Sequence, residues 1–166
     1  MSEHTIILDQ KAIAHKIKRI AYQIYETNVR EEEVIIAGIK QNGYQLAQQL
    51  KKEVEKISPL KVVLCEVKID KRAPIDNVHT SMELEKFRDR SLVLVDDVLH
   101  SGTTLIYGVR HFLAVPLKRF KTAVLVDRNH KKYPVKADFK GISLSTSINE
   151  NVDVRYEKGV WSAVLE

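Results

Sequence analysis

The chain has 166 residues, 44% apolar and 30% charged, with six glycines and four prolines, which excludes a disordered or fibrous polypeptide and bounds the architecture at one ordinary domain with a substantial core. Its 27 basic and 22 acidic residues leave a formal charge of +5, but they are interspersed, so charge gives only a weak preference for anionic partners. The single cysteine, Cys65 within the apolar run VVLCEV, excludes an internal disulfide and reads as a buried, inert thiol.

The N-terminal stretch MSEHTIILDQ lacks a charged start followed by a long apolar core, and no apolar run approaches membrane-spanning length. A cytoplasmic location with no membrane partner is expected. From Asp9, which suits a helix N-cap, Ile13, Ile17, Ile20 and Ile24 recur at helical spacing and predict a helix that packs on a sheet. VIIAG at 34–38 reads as a short buried strand, and Leu46, Leu50, Val54 and Ile57 mark a second amphipathic helix. Further strands are predicted at 60–69, 91–96 and 120–127, with a helix over 103–115. VDVRY and GVWSAVL, joined through EKG, form a hairpin pattern. Strands that alternate with helices predict an α/β fold, a mostly parallel sheet flanked by helices on both faces. Residues 70–90, polar and without sustained periodicity, interrupt this rhythm and are expected to form a lid or a disordered loop.

The richest stretch is SLVLVDDVLHSGTT. An apolar strand ends in two carboxylates, Asp96 and Asp97, and a loop of small and hydroxyl residues leads into the next helix. In an open parallel sheet, ligands bind beyond the carboxyl ends of the strands. The loop from Ser101 to Thr104 would lie at a helix N-terminus, where unpaired amides and the dipole favour a phosphate, and Gly102 permits close backbone approach. Paired carboxylates accept hydrogen bonds from vicinal hydroxyls, so the two halves together describe a site for a ribose 5-phosphate. Each half has an ordinary explanation by itself: Ser101 or Thr103 caps the helix, and the acids solubilise a strand end. The competing reading, a nucleoside triphosphatase, fails at GIKQNGYQ, which has the spaced glycines of a P-loop but Tyr44 and Gln45 where Lys and Ser or Thr are required.

VLVDDVLHSGTT resembles the phosphoribosyl pyrophosphate (PRPP) signature of type I phosphoribosyltransferases. IILDQKAI, GIKQNGYQLAQQL and AVLVDRNHKKYPVKADFKGISLSTS extend the similarity over most of the chain. The last piece is similar to the branch of bifunctional pyrimidine operon attenuators and uracil phosphoribosyltransferases, the PyrR proteins. The resemblance implies a single phosphoribosyltransferase domain over 1–166, a flexible lid at about 70–90, and a small hood drawn mainly from 127–150 and the C-terminal hairpin. It implies a pentosyltransferase of nucleotide salvage that moves the 5-phosphoribosyl group from PRPP to a nucleobase, uracil first, giving UMP and pyrophosphate. Asp96 and Asp97 would bind the ribose hydroxyls, and a magnesium ion directly or through water. The segment Val98, Leu99, His100, Ser101, Gly102, Thr103 and Thr104 would hold the 5-phosphate end. Lys40, with Gln41, Asn42 and Gly43, would occupy the pyrophosphate loop and, with the acid pair, carry catalysis. Asp127, Arg128 and Phe139 would contact the base, and Lys71 and Arg72 would act from the lid.

Several positions depart from the branch. Thr103 stands where an Arg is usual, and Gln41 and Asn42 replace a Thr and an Arg, which should weaken PRPP binding. The lid lacks the branch's Tyr and Arg pattern and is shorter. His100 stands where purine-using relatives carry an acid, which favours a pyrimidine. RNA is the alternative partner that the branch implies, through a basic face with His15, Lys16, Lys18, Arg19 and Tyr22 on the first helix and Lys131, Lys132 and Lys136 elsewhere. Here Lys18 and Tyr22 replace a Thr and a His. The remaining alternatives are an RNA-binding attenuator with little catalysis and a transferase for a purine base. A homodimer or tetramer is expected by the same resemblance.

Overall fold

The N-terminal strand β1 (Thr5–Leu8) leads through Asp9, whose carboxylate accepts a hydrogen bond from the Ala12 amide at 2.8 Å, into helix α1 (Gln10–Thr27). The structure is a computed structural model that describes residues 4–145, 147 and 150–166. The isoleucine stripe of α1 is buried as its spacing demands. Strand β2 (Glu33–Ile39), helix α2 (Asn42–Ile57) and strand β3 (Lys61–Ile69) follow, with Leu46, Leu50 and Val54 of α2 turned into the core. Full burial of one such side chain stabilises the fold by roughly 1.5–3 kcal/mol, so this stripe anchors α2 firmly.

Beyond β3 come a short strand β4 (Val78–Thr80), a 3-10 turn (Leu84–Phe87), β5 (Ser91–Leu99), α3 (Thr103–Phe112), β6 (Arg119–Asp127) and β7 (Phe139–Ser143). These strands build one six-stranded sheet in the order β4-β3-β2-β5-β6-β7, parallel throughout except for β4. α1 and α2 share a hydrophobic cluster on one face, while α3 and Phe87 belong to a second cluster on the other. The expected α/β fold with helices on both faces is therefore present. The chain leaves β2 for β3 on one side and returns to β5 on the other, so the strand order reverses between β2 and β5. Such a switch point is where an open α/β sheet offers a crevice at its carboxyl edge.

The C-terminal hairpin, β8 (Val152–Glu157) and β9 (Val160–Leu165), also forms as expected, but it takes β1 as a third strand in the order β1-β9-β8. Residues 139–143, expected in the hood, instead extend the main sheet through parallel pairing with β6. Thr146, Ile148 and Asn149 of the expected hood lie outside the described residues.

The lid expected over 70–90 is also smaller. Val78 and Thr80 pair with Ile69 and Val67, which closes β3 and β4 into a hairpin, and Phe87 is fully buried with its ring edge-on to Phe112 at 4.9 Å. Only 70–77 remains as a projecting loop. Among the described residues, no helix is long and apolar enough to cross a membrane.

Candidate active site

β2 pairs with β5 only as far as Gly38 and Val95, whereas β6 stays paired with β5 to Leu99. Asp96 and the residues after it therefore pass beyond β2, and the N-terminus of α2 fills the space. Gly43 sits so close there that a Cβ would lie 2.8 Å from the Val95 carbonyl oxygen and 3.1 Å from Asp96 Cα. A larger residue would push α2 off the strand. Asn42 precedes it, and its Nδ2 donates to Asp97 Oδ2 at 3.2 Å and to the Val154 carbonyl at 2.7 Å. One amide thus connects the acid pair to strand β8 of the C-terminal hairpin.

The two acids differ. Asp96 is buried, and its Oδ1 accepts from the Asp97 amide at 2.8 Å. Burial, reinforced by the charge and hydrogen bonding of Asp97, holds its carboxyl well above the ordinary carboxylate range, with Lys71 acting in the opposite sense. Asp97 is half-buried, and its Oδ1 accepts from the Val98 amide at 2.8 Å. A buried acid that resists ionisation beside an accessible one suits a ligand bringing hydroxyl donors or a cation.

After β5 the loop turns at Gly102, whose φ of 88° is left-handed and whose Cβ, if present, would lie 2.7 Å from Val135 Cγ1. The Ser101 carbonyl accepts from the amides of Lys132 at 2.7 Å and Tyr133 at 3.1 Å, which fastens the loop to the segment after β6. Ser101 Oγ and Thr103 Oγ1 are 2.8 Å apart. The amides that begin α3 have no intrahelical partner, and with these hydroxyls they make a cradle for an anion.

Asp96 and Asp97 form a shared wall between two adjoining cavities. One, of about 360 Å³, runs along Val98, Leu99 and His100 to the Ser101–Thr104 loop and is closed by residues 151–154. The other, of about 330 Å³, is bounded by Lys40, Gln41, Asn42 and Lys71. Lys40 reaches Glu66 Oε1 at 3.0 Å across the edge of the sheet, and the Lys40–Gln41 peptide bond is cis. A loop of free amides and hydroxyls, two carboxyl groups and a lysine-bearing pocket follow one another along a single crevice.

The structure brings most of the expected residues together, though not all. Lys71 lines both cavities, whereas Arg72 is exposed with its amide held by Asp70 Oδ1 at 3.0 Å. Asp127 is buried, accepts from the Asn129 amide at 3.0 Å and lies 3.7 Å from Lys140 Nζ, which engages it in structure. Phe139 pairs with Ala123 in mid-sheet, well before the carboxyl edge, and is buried in the cluster beneath α1. It is a core aromatic, not a wall of the crevice. Arg128 borders a third cavity, of about 560 Å³, with His100, Ser101 and Lys132. Two contributors escaped the sequence reading: Glu66, an unremarkable strand residue there, and the Val154 carbonyl, whose main-chain role leaves no side-chain signature.

The family model for the phosphoribosyl transferase domain matches residues 3–158. The chain belongs to the phosphoribosyltransferase family. Among its curated relatives is "Bifunctional protein PyrR" of Clostridioides difficile, 33% identical over 162 residues, covering 93% of this chain and 92% of that protein. The protein of the same name from Brevibacillus brevis is 34% identical over 163 residues, with 93% and 91% covered. Among solved structures, the hypoxanthine phosphoribosyltransferase of Trypanosoma cruzi superposes with a TM-score of 0.78 at 15% identity over 96% of this chain and 95% of that one. A hypoxanthine-guanine phosphoribosyltransferase from Bacillus anthracis gives 0.73 at 18% identity, over 97% and 99%. At that identity these structures share the fold of this phosphoribosyltransferase, while the PyrR relatives share about a third of its residues over nearly the whole chain.

Proposed function

We propose that this phosphoribosyltransferase transfers the 5-phosphoribosyl group of PRPP to uracil, releasing pyrophosphate and forming UMP. The observation that carries the reading is the acid pair standing as a common wall between a phosphate cradle and a lysine-bearing pocket. PRPP has the same order of groups: a 5-phosphate, two ribose hydroxyls and a pyrophosphate. The Ser101–Thr104 loop would hold the first, Asp97 and Asp96 would accept from the hydroxyls, and Lys40 and Lys71 would face the pyrophosphate. The resemblance to the PyrR branch, and relatives of that name covering nearly the whole chain, support uracil.

Among the described residues, no cluster of three or more His, Cys, Asp or Glu could hold a metal ion. Two adjacent carboxylates nevertheless fit magnesium, a hard cation that keeps several waters and takes its remaining ligands from substrate phosphates. Asp96 and Asp97 would hold it, and when bound it supplies positive charge against the departing pyrophosphate. The protein's own contribution is positional and electrostatic. Asp97, oriented by Asn42 and the Val98 amide, fixes the ribose hydroxyls, and Lys40 exchanges Glu66 for the leaving group. The 70–77 loop brings Lys71 to the cavity, and its closure would exclude water from a cationic sugar.

Asp97→Asn tests the reading in a coupled assay with PRPP, magnesium and uracil. Loss of about 100-fold or more in kcat/KM with an unchanged circular dichroism spectrum is expected. Unaltered turnover would remove the acid pair from the mechanism.

RNA is the second reading, favoured by the exposed Lys131 and Lys132 around the third cavity. The basic face of α1 offers less than its sequence promised. Arg19 donates to the Lys140 and Gly141 carbonyls and so holds α1 to β7. A cytoplasmic homodimer or tetramer completes the proposal, by resemblance.

A further inference from the structure

His100 is the first residue after β5 and lines both the cavity that ends in the phosphate cradle and the basic cavity beside it. Its Nδ1 lies 3.0 Å from Nη1 of Arg128. A guanidinium can only donate, so Nδ1 is the acceptor of this bond and carries no proton. The neutral ring then has its single hydrogen on Nε2. Arg128 is in turn held from behind, because its Nη2 donates to the Glu150 carbonyl and lies 3.4 Å from that of Ser147. The side chain is buried, so the guanidinium has little freedom to leave the imidazole.

The charged groups around His100 come from three elements. Burial and the Arg128 charge oppose an imidazolium, Asp97 on β5 favours one, and Lys71 from the projecting loop opposes it, so the net effect lowers the imidazole's affinity for a proton. Geometry and electrostatics thus agree on a neutral ring.

We propose that Arg128 is a positioning residue that holds His100 as the neutral, Nε2-protonated tautomer, so that His100 offers the nucleobase a hydrogen-bond donor and takes no proton from it. Arg128 was expected to contact the base directly, and the geometry gives it this indirect task. The base-recognition half of the inference rests on the function proposed above, whereas the tautomer does not. A fixed donor pairs with a carbonyl oxygen or an unprotonated ring nitrogen and disfavours a ring N–H. Uracil presents two carbonyl oxygens. Because Arg128 also grips the carbonyls of Ser147 and Glu150, the same side chain ties the segment after β7 to the floor of the crevice.

The tautomer is read directly by nitrogen NMR of the whole unliganded protein with labelled histidine, the His100 signals being assigned by their loss in His100→Gln. Wild type should show Nδ1 unprotonated and Nε2 protonated near neutral pH. Arg128→Leu should populate the Nδ1-protonated form, and Arg128→Lys, which keeps a donor, should restore the original state. A protonated Nδ1 in wild type would overturn the inference, even if neither variant folds, and so would an unchanged tautomer in folded Arg128→Leu. The donor role is read from steady-state constants. His100→Leu should raise KM for uracil about tenfold, the loss of one hydrogen bond of about 1.4 kcal/mol, and KM for PRPP by distinctly less. His100→Gln should stay within about threefold of wild type, the size of a perturbed but retained hydrogen bond. A His100→Gln enzyme as impaired as His100→Leu would overturn the donor role. Absence of transfer from wild type, with the tautomer as described, would refute the proposed function and leave the Arg128–His100 assignment standing.

Discussion

Asn42 Nδ2 donates to Asp97 Oδ2 at 3.2 Å while its other hydrogen serves the Val154 carbonyl at 2.7 Å, so one neutral side chain spans from the acid pair to the hood. This position of the α2 N-terminus thus serves as a brace for Asp97. Asn42→Ala should leave Asp97 without its side-chain donor and the Val154 carbonyl without a partner. A loss of about 1–2 kcal/mol is expected, seen as a five- to thirtyfold fall in kcat/KM for PRPP. Asn42→Asp, which sets a third carboxylate beside the pair, should be worse than Asn42→Ala.

Lys40 and Glu66 form a half-exposed ion pair at 3.0 Å, worth about 0–1 kcal/mol after solvent screening. Pyrophosphate has to displace Glu66 from the lysine. Glu66→Gln should therefore lower KM for PRPP by about two- to fivefold, the equivalent of that pair. Initial-rate measurements at saturating base check this, and an increased KM would show Glu66 orienting Lys40 rather than competing for it.

The buried Asp96 gives a pH signature. Its folded-state pKa is raised, so above the ordinary value of 3.8 the folded protein binds more protons there than the unfolded chain. Stability from this group is complete below that value and is lost as pH rises through the folded pKa. At neutral pH the carboxyl is a cost, which Asp96→Asn should relieve while still accepting from the Asp97 amide. A gain of about 1 kcal/mol would raise Tm by about 2–4 °C. The gap between mutant and wild type in thermal unfolding should widen from acid to neutral pH, and transfer should fall steeply.

His100 and His111 titrate in the other sense. Burial is the main cause of the lowered pKa of each, followed by Arg128 for the first and His79 for the second. Below about the ordinary 6.5 the unfolded chain takes up protons that the folded protein refuses, so stability is complete above that value and falls as the solution is acidified through it. In an Asp96→Asn background, where the opposing contribution of that carboxyl is removed, thermal unfolding between pH 8 and pH 5 should show a declining Tm, and adding His111→Phe should flatten part of the slope.

How much was legible in the sequence depends on what kind of signal each element leaves. α1 and α2 were readable because their apolar stripes meet a single buried face, and the central strands because both faces are covered and the runs are apolar throughout. β1 and β4 were missed because they are short edge strands that owe their pairing to distant partners, β9 and β3. β7 was assigned to the hood by the resemblance; DFKGIS shows no clear alternation to mark it as a strand, and its place in the sheet depends on parallel pairing with β6. Within the site, the acid pair and cradle were evident as a motif. Asp127 and Phe139 were assigned to the site by the resemblance alone, and Lys140 and the core beneath α1 engage them. The contribution of β8, a main-chain carbonyl of Val154, depends on tertiary placement that no residue type announces.

The most direct test of the central claim is a panel of nucleobases. The purified protein is incubated with PRPP and magnesium, and with uracil, hypoxanthine, guanine, adenine or orotate, while pyrophosphate and the nucleotide are followed together. Stoichiometric UMP and pyrophosphate from uracil, and no nucleotide from the purines, is the expected result. Product from hypoxanthine or guanine but not uracil, or no product from any base despite measurable PRPP binding, would contradict it.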